Sequence, residues 1–266
     1  MDILQRNNVK VVGQGDRTLV FVHGYGCDQN MWRFVAPAFE GDYRIVYYDL
    51  TGMGQSDLNA YDFRAYRTLH RHAQDLAEIL AHLDVKNCVL VGHSVGATIA
   101  CLASIIIPER IQGLALVAPS PFFMNDAAYV GGFDRATLDG LVELMDQNFY
   151  GWTSQVTPII GGDGAGGQVS QELSKSFCRT EPEIAKHFGR VTFLSDHRED
   201  MKKVATRATI IQCSNDSLAP VSVGDWLSKN MKAAQLNIID ATGHCPHLSE
   251  PSKTTTAIRE FLISVA

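Results

Sequence analysis

Short apolar, β-branched runs recur along the chain at 19–22, 44–48, 88–91, 114–117, 209–212 and 236–239. They lack polar alternation, which predicts strands covered on both faces, as in a parallel sheet. Between them the period changes. Leu69, His72, Leu76, Ile79, Leu80 and Leu83 recur at helical spacing. Residues 95–107 are apolar nearly all round and Pro108 follows, predicting a helix buried against the sheet. Strands alternating with helices predict an α/β fold, a mostly parallel sheet flanked by helices.

The alternation stops between Ala118 and Ala208. Roughly ninety residues separate strands that a simple crossover joins in far fewer. Leu138, Leu141, Val142 and Met145 share one helical face in this interval, and Ile184, Phe188 and Val191 share another. A helical cap inserted over one end of the sheet is expected. The chain then divides into a core, 1–121 and 197–266, and a cap, 122–196. Within the cap, Gly162-Asp163-Gly164-Ala165-Gly166-Gly167 fits the dinucleotide fingerprint. It does not follow the first strand of a βαβ unit, so a cap loop is expected.

The motif Gly92-His93-Ser94-Val95-Gly96 stands between a predicted buried strand and a predicted buried helix. In that context GxSxG sets a serine on a sharp strand-to-helix turn, with glycines that let neighbouring backbone approach. Ser94 would stand beside unsatisfied helix N–H groups that favour developing negative charge. A serine hydroxyl is a weak nucleophile at neutral pH, so a base and a group to orient it are required. Asp216 follows the run at 209–212 and His244 follows the run at 236–239, giving the order Ser, Asp, His. Asp216 is expected to set the imidazole tautomer and His244 to take the Ser94 proton. Asp196 and Asp200 compete for the acid but precede the strand; His247 competes for the base but is expected to be a hydrogen-bonded neighbour. The turn His23-Gly24-Tyr25-Gly26 is expected to supply one oxyanion donor, the Tyr25 N–H, and Val95 N–H the other. Tyr25 and His93 are also expected beside the nucleophile.

Composition narrows the alternatives. With 266 residues, 45% hydrophobic and 20% charged, the chain can bury one large core, which excludes a disordered protein. Its formal charge of -6, with no run of five like charges, argues against a nucleic-acid surface. The longest apolar run, 97–107, falls well short of the roughly 20 residues that span a bilayer. Residues 1–8 lack the basic and apolar regions of a secretory signal, which predicts a cytoplasmic protein. The cysteines stand singly with no CxxC pair, so buried thiols are expected rather than a zinc or dithiol centre. Cys27 and Cys245 adjoin the motifs and are candidates to line the site.

The segments His23-Gly24-Tyr25-Gly26-Cys27-Asp28-Gln29, Gly92-His93-Ser94-Val95-Gly96 and Gly243-His244-Cys245-Pro246-His247-Leu248-Ser249 resemble the RsbQ and strigolactone/karrikin receptor family of α/β-hydrolases. Gly52-Met53-Gly54-Gln55-Ser56-Asp57 and Tyr129-Val130-Gly131-Gly132-Phe133 extend the match. Phe177-Cys178-Arg179-Thr180 and the run from Phe193 to Asp200 look more like bacterial RsbQ than the plant receptors, which commonly carry Ser where this chain has Gly96. The resemblance implies a four-helix cap, a hydrophobic pocket and slow hydrolysis of small esters or butenolide-like lactones without metal or cofactor. It also implies pocket positions for Phe133, Trp152 and Phe193. For RsbQ-type proteins it implies stress-response signalling through a partner phosphatase bearing a PAS domain. Two other uses keep the same residues: a ligand sensor with slow or single turnover, and a cofactor-free haloperoxidase or C–C hydrolase.

Overall fold

The computed structural model describes residues 2–265; Met1 and Ala266, the outer bounds expected for the core, lie outside the described residues. The strands are β1 (Lys10–Val12), β2 (Arg17–Val22), β3 (Tyr43–Tyr47), β4 (Cys88–His93), β5 (Ile111–Val117), β6 (Arg207–Asn215) and β7 (Ala234–Thr242). They form one sheet in the order β1-β3-β2-β4-β5-β6-β7. Every pairing is parallel except β1 with β3. The apolar runs fall on β2 to β7, giving the α/β fold expected. β1 was not foreseen, because its residues are all exposed on a short edge strand and carry no core pattern.

Continuous apolarity has a direct cause in the layers. Val20, Val22, Leu90, Leu114 and Leu116 face one side, packing with Leu76, Ile79, Leu80 and Ala100 of the helices Leu69–His82 and Val95–Ile106. Leu19, Phe21, Val89, Val91 and Ala115 face the other, packing with Ile258, Phe261 and Leu262 of the helix Pro251–Ser264. Neighbouring strand residues therefore both enter a core. The chain runs outward from β2 to β3, then returns to β4 on the opposite flank of β2. This reversal leaves a crevice beyond the carboxyl ends of β2 and β4, the usual ligand position in such sheets.

Between β5 and β6 the chain forms the helices Arg135–Gln147, Phe149–Gly161, Gln168–Cys178 and Pro182–Leu194. Three begin on side-chain caps: Asp134 accepts from Thr137 N, Asn148 from Gly151 N and Glu181 from Ile184 N. The glycine run at 162–167 joins two of these helices. Its Asp163 carboxylate accepts from the N–H groups of Val169 and Ser170 and so anchors the next helix, which accounts for the run without a dinucleotide. Trp152, Phe177, Phe188 and Phe193 from these helices belong to the same buried cluster as Val22 and Leu90. No helix among the described residues is long and apolar enough to cross a membrane.

Candidate active site

Ser94 sits between β4 and the helix Val95–Ile106 with φ 54° and ψ -123°. Non-glycine residues rarely adopt this conformation, at a cost of about 1–3 kcal/mol. Close packing holds it there. A Cβ on Gly92 would lie 2.6 Å from the Gly96 carbonyl oxygen, and one on Gly96 would lie 2.4 Å from that of His23. The two glycines of the motif thus let the helix start crowd both β4 and the end of β2, while Ser94 N donates to the Val117 carbonyl at 2.9 Å.

The structure brings Ser94, His244 and Asp216 together. His244 Nε2 lies 2.8 Å from Ser94 Oγ, and His244 Nδ1 lies 2.8 Å and 3.0 Å from the two Asp216 carboxylate oxygens. A carboxylate only accepts, so Nδ1 carries the proton and Nε2 offers its lone pair to the serine hydroxyl. Asp216 also accepts from the N–H groups of Leu218 and Ala219, which fixes its carboxylate. The loops after β6 and β7 are joined by Gly243 N donating to the Asn215 carbonyl at 2.9 Å. His244 N donates to the Ile160 carbonyl at 2.7 Å, so a helix of the inserted segment also positions the imidazole.

Tyr25 N–H and Val95 N–H find no hydrogen-bond acceptor among the described residues. They come from the turn after β2 and from the first residue of the helix after Ser94, adjacent through the Gly96–His23 contact. Asp196 instead pairs with Arg198, and Asp200 with His197 and Lys203. His23 accepts from Leu50 N at Nε2 and donates to the Gly24 carbonyl at Nδ1, a structural role.

A small apolar cavity of about 20 Å³ opens on Ser94 and His244. That is far below the roughly 300–1,000 Å³ of ligand sites, so the walls around this cavity must part to admit a ligand. Tyr25, His93 and Phe193 line it, with Cys27 and Cys245. Phe133 and Trp152 do not, which corrects two expected lining positions. Trp152 is buried one layer back, its ring 6.1 Å from Tyr25 and 5.6 Å from Phe177. Phe133 is paired through its backbone with Phe123, and Phe123 is the one that turns inward. Ile160, Leu173, Phe177, Thr192 and Leu218 complete the wall. In sequence, those on the helices read as ordinary packing residues, and no periodicity marks which ones meet ligand.

His247 is fully buried, its ring 4.8 Å from Trp32 and 4.3 Å from His93. Neither of its nitrogens has a partner among the described residues, so in place of the hydrogen-bonded neighbour expected from sequence stands a ring packed at a tilt on Trp32 and His93. Burial lowers its pKa to about 3. His93 Nε2 donates to the His244 carbonyl at 2.8 Å, linking the variable residue of the motif to the loop that carries the imidazole. Burial holds His93 well below the usual imidazole range. Desolvation pushes the Cys27 and Cys245 thiols up, so both are poor nucleophiles at neutral pH.

A family model described as "Alpha/beta hydrolase family" matches residues 19–257. The Karrikin insensitive 2 receptor CA of Petunia hybrida is 36% identical over 248 residues, covering 93% of this chain and 92% of that protein. A strigolactone esterase of Pisum sativum is 36% identical over 252 residues, covering 94% of each. A hydrolase from Oleispira antarctica superposes with a TM-score of 0.95 at 41% identity, covering 98% of this chain and 96% of that one.

Proposed function

Because the chain belongs to the alpha/beta hydrolase family, we propose that Ser94, His244 and Asp216 make it a serine hydrolase of small apolar carboxylic esters or lactones. The observation that carries this reading is the hydrogen-bonded line from Ser94 through His244 to Asp216 at the foot of an apolar pocket. Ser94 Oγ attacks the carbonyl carbon as its proton passes to His244 Nε2. The oxyanion forms against the N–H groups of Tyr25 and Val95, which need no reorganisation to receive it. His244 then protonates the leaving group, and an acyl ester remains on Ser94. Water, giving its proton to His244, cleaves that ester and restores the serine. In this reading residues 122–196 form the cap, and the protein works in the cytoplasm without metal or cofactor.

The small enclosed pocket supports a compact acyl group, and relatives named as strigolactone esterases support a butenolide-like lactone. Relatives named as receptors support a second, RsbQ-like output, in which the liganded chain engages a phosphatase bearing a PAS domain in stress-response signalling. A panel of short p-nitrophenyl esters and a fluorogenic butenolide tests the hydrolytic reading. Turnover falling steeply with acyl length supports it, whereas no turnover of any member contradicts it. Ligand-dependent copurification of a PAS-bearing phosphatase tests the second output, and recovery independent of ligand counts against it.

A further inference from the structure

Beside the triad lies a cluster that hydrolysis leaves unused. His93, Cys245 and His247 each bring a ligand atom within 4.8 Å of the others, and all three residues are buried. His93 Nε2 lies 3.9 Å from Cys245 Sγ. Both nitrogens of His247 and Nδ1 of His93 lack a hydrogen-bond partner among the described residues. An unpartnered buried imidazole is costly, and His247 is one at both nitrogens; His93 meets the sulfur through Nε2, which donates to the His244 carbonyl, while its free Nδ1 packs against Gly24.

We propose that His93, Cys245 and His247 bind one monovalent thiophilic metal ion, Cu(I), admitted through the pocket. Two imidazoles and a thiolate are soft to borderline donors of the kind that select Cu(I) over hard cations. Metal–ligand bonds of about 2.0–2.3 Å set three trigonal donors roughly 3.6 Å apart. The cluster therefore needs a contraction of about 1 Å, within reach of side-chain rotation. On binding, the Cu–S bond forms as the Cys245 thiol proton leaves for solvent. The thiolate cancels the single charge of the ion, so no net charge is added to the interior. Zn(II) would leave a net positive charge at the cluster and seek a fourth ligand that these three residues do not supply. Cys245 and His93 line the pocket, which gives the ion a route inward.

Occupancy reaches the triad through one atom. The His93 nitrogen nearest the sulfur, Nε2, is the one donating to the His244 carbonyl. A metal-bound nitrogen carries no proton, so that hydrogen bond is lost and the His244 carbonyl loses one anchor, while the Gly243 and His244 N–H bonds remain. Copper should inhibit hydrolysis, an expectation that rests on the proposed function; retention of the ion does not.

The test uses the whole chain with exposed Cys178 replaced, Cys178→Ser, to remove a surface thiol. Under anaerobic conditions it is titrated with Cu(I) supplied as its acetonitrile complex, desalted, and assayed for copper and for ester hydrolysis. One copper per chain is expected, with hydrolysis down at least tenfold and restored by a Cu(I) chelator. Cys245→Ala and His247→Phe should each retain under a tenth of that copper while melting cooperatively; the latter keeps a ring on Trp32. Equal copper in either folded variant, or tighter retention of Zn(II) than of Cu(I), would overturn the proposal. So would copper lost in Cys27→Ala but kept in His247→Phe. Copper retained by a chain with no esterase activity supports the site and fails the hydrolase reading alone.

Discussion

The Tyr25 hydroxyl donates to the Ala185 carbonyl at 2.8 Å, tying the turn after β2 to the helix Pro182–Leu194. The same residue packs its ring against Phe177, Phe188 and Phe193 at 5.2–5.8 Å, and its backbone N–H is the one proposed to receive the oxyanion. On the proposed mechanism, one residue holds the wall of the pocket while its backbone serves the chemistry.

Tyr25→Phe separates these roles. The ring and the N–H remain, and only the hydroxyl's contacts with the Ala185 carbonyl and Met145 Sδ are lost. The Ala185 carbonyl keeps its bond within the helix, so stability should fall by only about 1 kcal/mol, and kcat/KM should stay within about tenfold. Urea unfolding and ester turnover check both. Abolished hydrolysis in a stable variant would put the hydroxyl itself in the mechanism.

Gly92→Ala tests the packing that holds the serine turn. The added Cβ would lie 2.6 Å from the Gly96 carbonyl oxygen and 2.7 Å from Ala97 Cα, both backbone atoms with nowhere to go. A loss of about 2–3 kcal/mol is expected, and hydrolysis should fall further than stability because Ser94 is displaced. Wild-type unfolding and turnover would show that the turn tolerates a side chain there.

His72 governs part of the acid limb of stability. It is fully buried against Tyr66 and Phe188, neither nitrogen has a partner among the described residues, and burial lowers its pKa to about 3 from 6.5. The unfolded chain therefore takes up the proton first as pH falls. The stability due to neutral His72 is full above about pH 6.5 and is lost progressively toward pH 3. His72→Phe should flatten unfolding free energy between pH 6.5 and pH 4.5, measured by urea titration at each pH. Because His93 and His247 act in the same direction, the slope should shrink rather than vanish. An unchanged slope would contradict the account.

The acid and the base are distinguished by paired variants. Asp216→Asn leaves the shape but sets the wrong imidazole tautomer, and turnover should drop by roughly a thousandfold or more. Asp196→Asn removes only an exposed pair with Arg198 and should change turnover less than twofold. His244→Ala should stop both acylation and deacylation in single-turnover assays, whereas His247→Ala should keep substantial turnover and lose stability through the space vacated against Trp32. Reversal within either pair would exchange the assignments.

The sheet was legible because its strands are covered on both faces, so Val20 and Phe21 are equally apolar though they enter different layers. Ser94, Asp216 and His244 were legible because each follows a strand end, where the fold delivers loops to one crevice. β1 was not, since Lys10, Val11 and Val12 pair only at an edge and are exposed. The pocket wall was legible in part. Tyr25, His93, Cys27 and Cys245 adjoin motifs, but the choice of Phe123 over Phe133 depends on a backbone pairing that leaves no periodic trace. Trp152 was misplaced because a large aromatic in a helix has the same sequence signature whether it meets ligand or backs a residue that does.

The most direct measurement is hydrolysis of a p-nitrophenyl ester by purified Ser94→Ala, with intact-mass detection of the acyl adduct on the wild-type chain. The substitution removes one hydroxyl from a turn held by Gly92, Gly96 and the Ser94 N–H, so the fold should persist. The account predicts a wild-type adduct carrying the acyl group, no adduct on the variant, and turnover reduced about a thousandfold or more at an unchanged melting temperature. Wild-type turnover by a folded Ser94→Ala variant would contradict it.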